Sequence, residues 1–220
     1  MSPAKSRLAE LAQIGNPLWQ QGGVAGLRAV KGRCYSGDRE KGMKSAHIFH
    51  TPLGHFGIGW VPEGLCRVVL PEPDEAAARA RLAGFADAVP SGWVADLVAE
   101  IARYARGEAA SFSHIPVAFG AAAEFDQAIW TAARDLSHGE VTTYGALAAR
   151  AGYPGQARPV GAALGRNPVP LVVPCHRVLA AGGRLGGFSA PGGAGAKARL
   201  LLHERADTSP AIPGQQGFSF

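Results

Sequence analysis

The sequence predicts an α+β protein: a small N-terminal antiparallel-sheet domain with helices, followed by a mostly helical C-terminal domain carrying a helix-turn-helix. Three observations lead there. Residues 45–71 alternate apolar and polar residues in three short runs divided by turn signals. Residues 93–104 carry apolar side chains at the i, i+3, i+4 spacing of a helix with one buried face. Two short helical runs, "TTYGALAARAG" and "ARPVGAALGRN", are joined by the turn "YPGQ".

Taken in order, the first forty or so residues are rich in Gly, Gln and Arg and lack sustained periodicity. They read as a flexible extension over residues 1–42, of the kind an upstream start codon would add before Met43. In "SAHIFHTPLGHFGIGWVPEGLCRVVLP" the turn signals "TPLG" and "PEG" divide three strands of an antiparallel meander. Asp74 is placed to cap a helical run, "DEAAARARLAGF", because its side chain can accept from an orphan N–H of the first turn. A second helix is expected from near Ser91, with Val94, Leu97, Val98, Ile101 and Tyr104 as its buried stripe. The N-terminal α/β domain then spans 43–114.

The C-terminal domain is assigned to 115–207, with a tail over 208–220. Its first helix, "EFDQAIWTAARDLSHG", puts Phe125, Ile129, Ala133 and Leu136 on one face, and Gly139 is expected as its C-cap. A threonine caps the next short helix, and Pro159 fits the first turn of the one after, where its missing N–H costs nothing. Prolines at 168, 170 and 174 leave too few donors for a helix, so Cys175 falls on a rigid extended or turn segment. The loop "AAGGRLGGFSAPGG" is dense in glycine and precedes a final helix, "AGAKARLLLHERA".

The chain has 220 residues, an apolar fraction of 47% and 18% charged residues, the profile of a soluble globular protein. No apolar run approaches the roughly 18 residues of a membrane span, and Glu10 and Gln13 interrupt any secretory segment. A cytoplasmic location is expected, nucleoid-associated in a bacterium. Cys34, Cys66 and Cys175 are odd in number and widely spaced, which argues against a disulfide framework. His47, His50 and His55 could join Cys34 or Cys66 in a zinc site. Strand period 2 sends neighbouring side chains to opposite faces, so surface histidines and a small buried thiol fit better, and no metal or cofactor is expected. Net charge is +5, and the segment 115–220 holds nine Lys/Arg against six acids. That suits a phosphate-rich partner without demanding one.

"VPCHRV", residues 173–178, carries the chemistry. Only a thiolate is a good nucleophile, and an imidazole that accepts the proton produces one near neutral pH. His176 neighbours Cys175 in sequence, but adjacent side chains of an extended segment diverge. The imidazole therefore needs a bridging water to reach the sulfur and a carboxylate to orient its other nitrogen. Glu204 is the nearest acid downstream. The alternative is a structural cysteine beside a solvent-facing histidine.

"PCHRV", preceded by "RNPVPLVV" and followed by "GGRLGGFS…K…LLHE", resembles the O6-alkylguanine-DNA alkyltransferases. The resemblance runs from about Phe125 to Glu204 and includes "GEVTTYGALA" and "ARPVGAALGRNP" in order. It implies transfer of an alkyl group from O6-alkylguanine, and from O4-alkylthymine, in double-stranded DNA to the protein's own cysteine. That reaction occurs once per chain, after base flipping, in a monomer without a cofactor.

By the same resemblance Cys175 is the acceptor, and His176, oriented by Glu204, takes the thiol proton. Asn167 holds the turn, Arg158 enters the duplex and Tyr144 presses on the phosphate beside the target. Ala157, Gly161 and Ala162 permit close groove approach. Gly186, Gly187, Phe188, Ser189 and Val178 line the base pocket. Arg177 is expected in a structural ion pair, and Lys197 either near the pocket or solvated in a first turn.

Two features depart from the family pattern. Phe188 stands where many members have tyrosine, and "SAPGGAGAK" is longer than in shorter members. Two competing readings are a non-catalytic module that binds alkylated DNA and a Cys–His hydrolase or redox thiol protein. The acceptor cysteine argues against the first, and the second leaves "ARPVGAALGRNP" unexplained.

Overall fold

Three antiparallel strands open the fold of the computed structural model, which describes residues 43–208. The extension assigned to 1–42, Cys34 and the tail after Thr208 lie outside the described residues. Strands β1 (Ser45–Thr51), β2 (Gly54–Val61) and β3 (Gly64–Glu72) form the expected meander. Its turns fall at Pro52–Leu53 and Pro62–Glu63. β1 meets β2 in continuous register from Ser45↔Trp60 to Thr51↔Gly54, while β2–β3 contains two register shifts. His50 and His55 face each other across β1 and β2, with ring centroids 4.9 Å apart.

Helix α1 (Glu75–Arg81) begins where expected, with Asp74 Oδ1 accepting the Ala77 N–H at 2.8 Å. It is followed by a strand that the pattern does not announce. β4 (Ala86–Asp87) pairs parallel to β1, giving a mixed sheet in the order β3-β2-β1-β4. Two residues with exposed side chains show no alternation; backbone bonds from Ala86 to Lys44 and from Ala88 to Ala46 define this strand. Phe85, just before it, lies against β2 so closely that a Cβ on Gly59 would enter its ring. Glycine is needed there for the approach.

Helix α2 (Trp93–Ala105) buries Val94, Leu97, Ile101 and Tyr104 of the predicted stripe and leaves Val98 half-buried. Helix α3 (Glu124–Arg134) buries Ile129 and Ala133 but stops before Gly139, its expected cap. The carbonyl of Leu136, which a longer helix would use internally, accepts from Arg177 Nη1 at 2.6 Å. Gly139 lies beyond in a turn with φ 77°, and its N–H goes to Glu204.

Helices α4 (Tyr144–Arg150) and α5 (Ala157–Gly165) are the predicted pair, and Thr143 Oγ1 caps α4 by accepting from Ala146 at 3.1 Å. Trp130 Nε1 donates to the Ala163 carbonyl, and Arg166 grips Asp126 with two 2.7 Å bonds, so α5 is tied to α3. A short parallel pairing of β5 (Thr142–Thr143) with β6 (Val178–Leu179) sets the start of α4 beside the end of "VPCHRV". Helix α6 (Gly193–His203) closes the described chain, with Glu204 at its C-cap.

One apolar core joins the two sequence halves. Phe56, Ile58 and Leu65 of the sheet and Leu97 and Ile101 of α2 belong to the same buried cluster as Ile129, Leu147 and Val160 from the helical part. Backbone bonds from Leu65 to Pro116 and from Val68 to Pro168 stitch the halves along β3. Leu97→Ala is expected to destabilise the protein by about 2–5 kcal/mol, because the site is sealed and cannot collapse. Val89→Ala, at a residue 89% exposed, should shift the urea midpoint little. Equal midpoint shifts for the two would contradict this core assignment.

Candidate active site

Cys175 begins a single 3-10 turn, Cys175–Arg177, that follows Pro174. The turn closes through Arg177 N–H to the Pro174 carbonyl at 2.9 Å, and Cys175 N–H reaches Val173 at 2.8 Å. The approach to it is fixed by Asn167. Its Nδ2 donates to the Val173 carbonyl at 2.8 Å, and its Oδ1 accepts from Val169 N–H at 3.0 Å. Inside that loop Leu171 is buried with φ 75°, a left-handed conformation that costs a branched residue about 1–3 kcal/mol. The surrounding bonds and packing hold it there.

Cys175 is 7% exposed and forms part of the wall of a cavity of about 490 Å3. Tyr144, Ala157, Arg158, Gly161, Gly187, Phe188 and Ser189 also line this cavity, so eight of the residues singled out in the sequence come together. Leu164 and Gly165 of α5 complete it, and neither was singled out. Three others, Ala162, Val178 and Gly186, do not line it. Ala162 is exposed on α5 outside the cavity wall, one residue round the helix from Gly161. Val178 is fully buried, because β6 pairs with β5 there, and its carbonyl accepts from Lys197 Nζ. Gly186 serves by its bareness: a Cβ there would collide with the Tyr144 hydroxyl, so the loop lies directly on the tyrosine.

Behind the turn is a buried polar cluster. His176 is fully buried, and its Nε2 lies 2.7 Å from Glu204 Oε1. Arg177, the expected structural partner, donates from Nε to Oε2 at 2.8 Å and from Nη2 to Oε1 at 3.0 Å. The Tyr104 hydroxyl donates to Oε1 at 3.1 Å and Gly139 N–H to Oε2 at 3.2 Å. Tyr104 was read from the sequence only as a core residue of α2. Its contact with a carboxylate 100 positions away leaves no local signal.

The charges follow from these contacts. Burial alone would push the Glu204 carboxyl up, but His176 and the Arg177 guanidinium hold it well below the usual carboxylate range. Burial pushes the His176 imidazole down, against the pull of Glu204, so it is neutral near pH 7. With an anionic acceptor at Nε2, that nitrogen carries the hydrogen, and Nδ1, buried without a protein hydrogen-bond partner, keeps its lone pair. Burial pushes the Cys175 thiol up, while the Asn167 side chain, the Lys197 charge and backbone N–H groups oppose the rise. The site thus holds a protonated thiol, a neutral imidazole able to accept a proton, and a carboxylate able to stabilise the imidazolium.

Lys197, one of whose two readings was a solvated first-turn lysine, is fully buried one turn into α6. Its Nζ lies 5.6 Å from the centre of the Tyr144 ring. Arg158 is exposed at the cavity rim on α5.

Replacing Glu204 by Gln leaves Arg177 buried without its anion, which should cost about 3–5 kcal/mol at pH 7. Because the folded-state pKa of Glu204 is depressed, its stabilisation is present above the ordinary carboxylate range and fades as pH falls below it. Urea unfolding should therefore show the gap between wild type and Glu204→Gln narrowing from about pH 5 downward. A gap independent of pH would contradict the assigned charge.

The family model for the DNA-binding domain of 6-O-methylguanine DNA methyltransferase matches residues 124–206. A methylated-DNA–protein-cysteine methyltransferase of Haemophilus influenzae is 46% identical over 103 residues, 47% of this chain and 56% of that protein. The match to the Salmonella typhimurium protein of the same name covers 60% of it, so the chain spans little more than half the length of these relatives. The Cricetulus griseus protein of that name is 34% identical over 170 residues, 71% of this chain and 80% of the other. A crystal structure of Mycobacterium tuberculosis OGT in complex with DNA superposes with a TM-score of 0.61 at 28% identity, covering 76% of this chain and 96% of that one. Likeness that extends through the sheet as well as the cysteine turn places the chain in the methylated-DNA–protein-cysteine methyltransferase family.

Proposed function

We propose that this protein repairs DNA by moving the alkyl group of O6-alkylguanine, and of O4-alkylthymine, onto Cys175, once per chain. The observation that carries the reading is the position of the thiol. Cys175 forms part of the wall of a cavity large enough for a single base, with the His176–Glu204 pair directly behind it. In the reaction the sulfur attacks the alkyl carbon, the S–C bond forms and the C–O6 bond breaks. The thiol proton passes through one water to His176 Nδ1 and on to the departing guanine, while Glu204 stabilises the transient imidazolium. The product thioether is neutral and is not displaced again, so the chain is spent.

A base inside a duplex is out of reach of a thiol that is nearly buried, so the nucleotide must rotate out of the stack at a cost of a few kcal/mol. Arg158, exposed at the cavity rim, is suited to enter the duplex, because a guanidinium both stacks and hydrogen-bonds where lysine presents only a point charge. Tyr144 would bear on the adjoining phosphate. The small residues Ala157, Gly161 and Ala162 give α5 a low profile for approach through the minor groove, with Asn167 keeping the cysteine turn in shape. In this reading 115–207 is the DNA-binding and acceptor domain and 43–114 supports it. The protein acts as a monomer in the cytoplasm, at the nucleoid in a bacterium. No helix among the described residues is long and apolar enough to cross a membrane.

Incubation with duplex DNA bearing methylated guanine should add one methyl per chain by intact mass. Cys175→Ala should lose the adduct and keep DNA binding. Repeated turnover, or tight binding without an adduct, would sink the reading. Arg158→Ala should slow transfer from duplex by roughly tenfold or more, equivalent to about 1.4 kcal/mol of the flipped state. Transfer from free alkylguanine should be almost unchanged, and equal slowing on both substrates would remove Arg158 from the flipping step.

A further inference from the structure

A second cavity, of about 380 Å3, shares no lining residue with the one that Cys175 helps to form. The cysteine loop nonetheless contributes to both, since Leu171, Val172, Pro174 and Arg177 belong to the second. Arg103 from α2 and Arg134 from the last turn of α3 add two more cations to its walls. Glu100 is the one carboxylate in the lining.

Ion pairs account for two of these three arginines. Arg177 is matched by Glu204, and Arg103 by Glu100 and Glu108. Glu100 is spent in the process: its Oε2 accepts from Arg103 Nη1 at 3.2 Å and its Oε1 from the Ser111 N–H at 2.9 Å. Arg134 makes no ion pair among the described residues. Its hydrogen bonds all come from Nη2, which donates to the carbonyls of Phe112, Ser113 and Ile115 at 3.3, 2.9 and 2.6 Å. Those carbonyls fix the guanidinium but bring no net charge. Burial lowers its pKa, and Asp135 alone opposes the fall. Nε is sealed and unbonded, whereas Nη1 is unbonded without being sealed. A half-buried cation with spare N–H groups is set to receive an anion.

The surrounding donors narrow the kind of anion. The Ser111 and Ser113 hydroxyls lie 3.2 Å apart, and all three serines of the wall, Ser137 included, are exposed. His138 adds an imidazole that burial keeps neutral near pH 7. Its Nδ1 is sealed and unbonded, while Nε2 is not sealed. Donors thus come from α2, from the link after it and from the end of α3. A planar carboxylate is satisfied by one guanidinium fork, but a tetrahedral oxyanion presents acceptors in several directions and suits donors from three segments. The volume exceeds that of a bare anion, so a small phosphate ester fits.

We propose that this cavity binds a small phosphate-type oxyanion, with Arg134 as its counter-charge and Arg103, His138 and the serine hydroxyls as further donors. Such a ligand ties the link 109–113 to the back of the cysteine turn, where Pro174 and Arg177 sit. The inference does not rest on alkyl transfer, and no step of that reaction passes through the cavity.

Inorganic phosphate is the probe, titrated into the full chain at constant ionic strength against chloride and followed by proton–nitrogen NMR. The amides of 110–113 and 137–138 should shift and saturate with phosphate and not with chloride. Arg134→Gln should weaken binding by about tenfold or more, the loss expected when a charged donor is removed. Should Arg134→Gln not fold, Ser113→Asp decides. It sets a negative charge in an exposed wall where the anion would lie and leaves the backbone carbonyl that holds Arg134 unchanged. That variant should also lose about tenfold or more in phosphate affinity. Shifts that chloride reproduces, or binding indifferent to Ser113→Asp, overturn the proposal. Undamaged duplex DNA that displaces phosphate from these amides would assign the site to backbone phosphates and overturn a small-molecule ligand. Failure of alkyl transfer would leave these titrations as they are, because Cys175→Ala should bind phosphate as wild type does.

Discussion

Glu204 is a carboxylate removed from water, and its five hydrogen bonds decide much of what lies around it. An unpaired buried carboxylate would cost several kcal/mol, so the fold must deliver donors to it. Arg177 brings the compensating charge, and the same guanidinium reaches the Leu136 carbonyl, just beyond the end of α3. Gly139 N–H and the Tyr104 hydroxyl arrive from the loop after α3 and from α2. Among those donors His176 meets Oε1 through Nε2 at 2.7 Å. The direction of its proton-accepting nitrogen therefore follows from contacts made by residues far outside the cavity.

The front of the cysteine turn is constrained by different means. Prolines 168, 170 and 174 limit the backbone, Asn167 bridges the loop, and Leu171 is held in a left-handed conformation that few side chains adopt. The β5–β6 pairing then sets Thr143, the cap of α4, beside the strand that leaves the turn. Tyr144 is thereby fixed against Gly186 on one side and near Lys197 on the other. These constraints are covalent geometry and short-range bonding. They position the sulfur without placing any charge near it.

What could be read from the sequence divides along the same line. The meander, the Asp74 and Thr143 caps and the buried stripe of α2 all obey rules that act within a few residues, and all stand in the structure where those rules put them. Cys175, Tyr144, Arg158 and Phe188 were brought into one group by resemblance to a family, not by spacing, and they share one cavity. The features that escaped reading depend on distant partners. β4 pairs with the edge that β1 offers, and beyond the early end of α3 the Leu136 carbonyl goes to Arg177. Lys197 is dry because its helix packs over the cysteine turn, and Tyr104 reaches a carboxylate from the other half of the chain. Val178, placed with the base pocket by the same resemblance, is fully buried in β6.

The division between a constrained front and a charged back bears on how the proposed acceptor would avoid reacting in bulk water. A thiol exposed enough to ionise freely would also react with any passing electrophile. Cys175, 7% exposed and raised in pKa by burial, resists that fate. Behind it lie groups that solvent does not reach: an imidazole bonded to Glu204 and an ammonium bonded to the Val178 carbonyl. Under the proposed function, reactivity would be confined to an electrophile admitted to the cavity whose wall the sulfur helps to form. Burial slows the thiol toward electrophiles in bulk water, and in the proposed reaction the buried His176–Glu204 pair would restore its nucleophilicity toward a base turned out of its helix into the cavity.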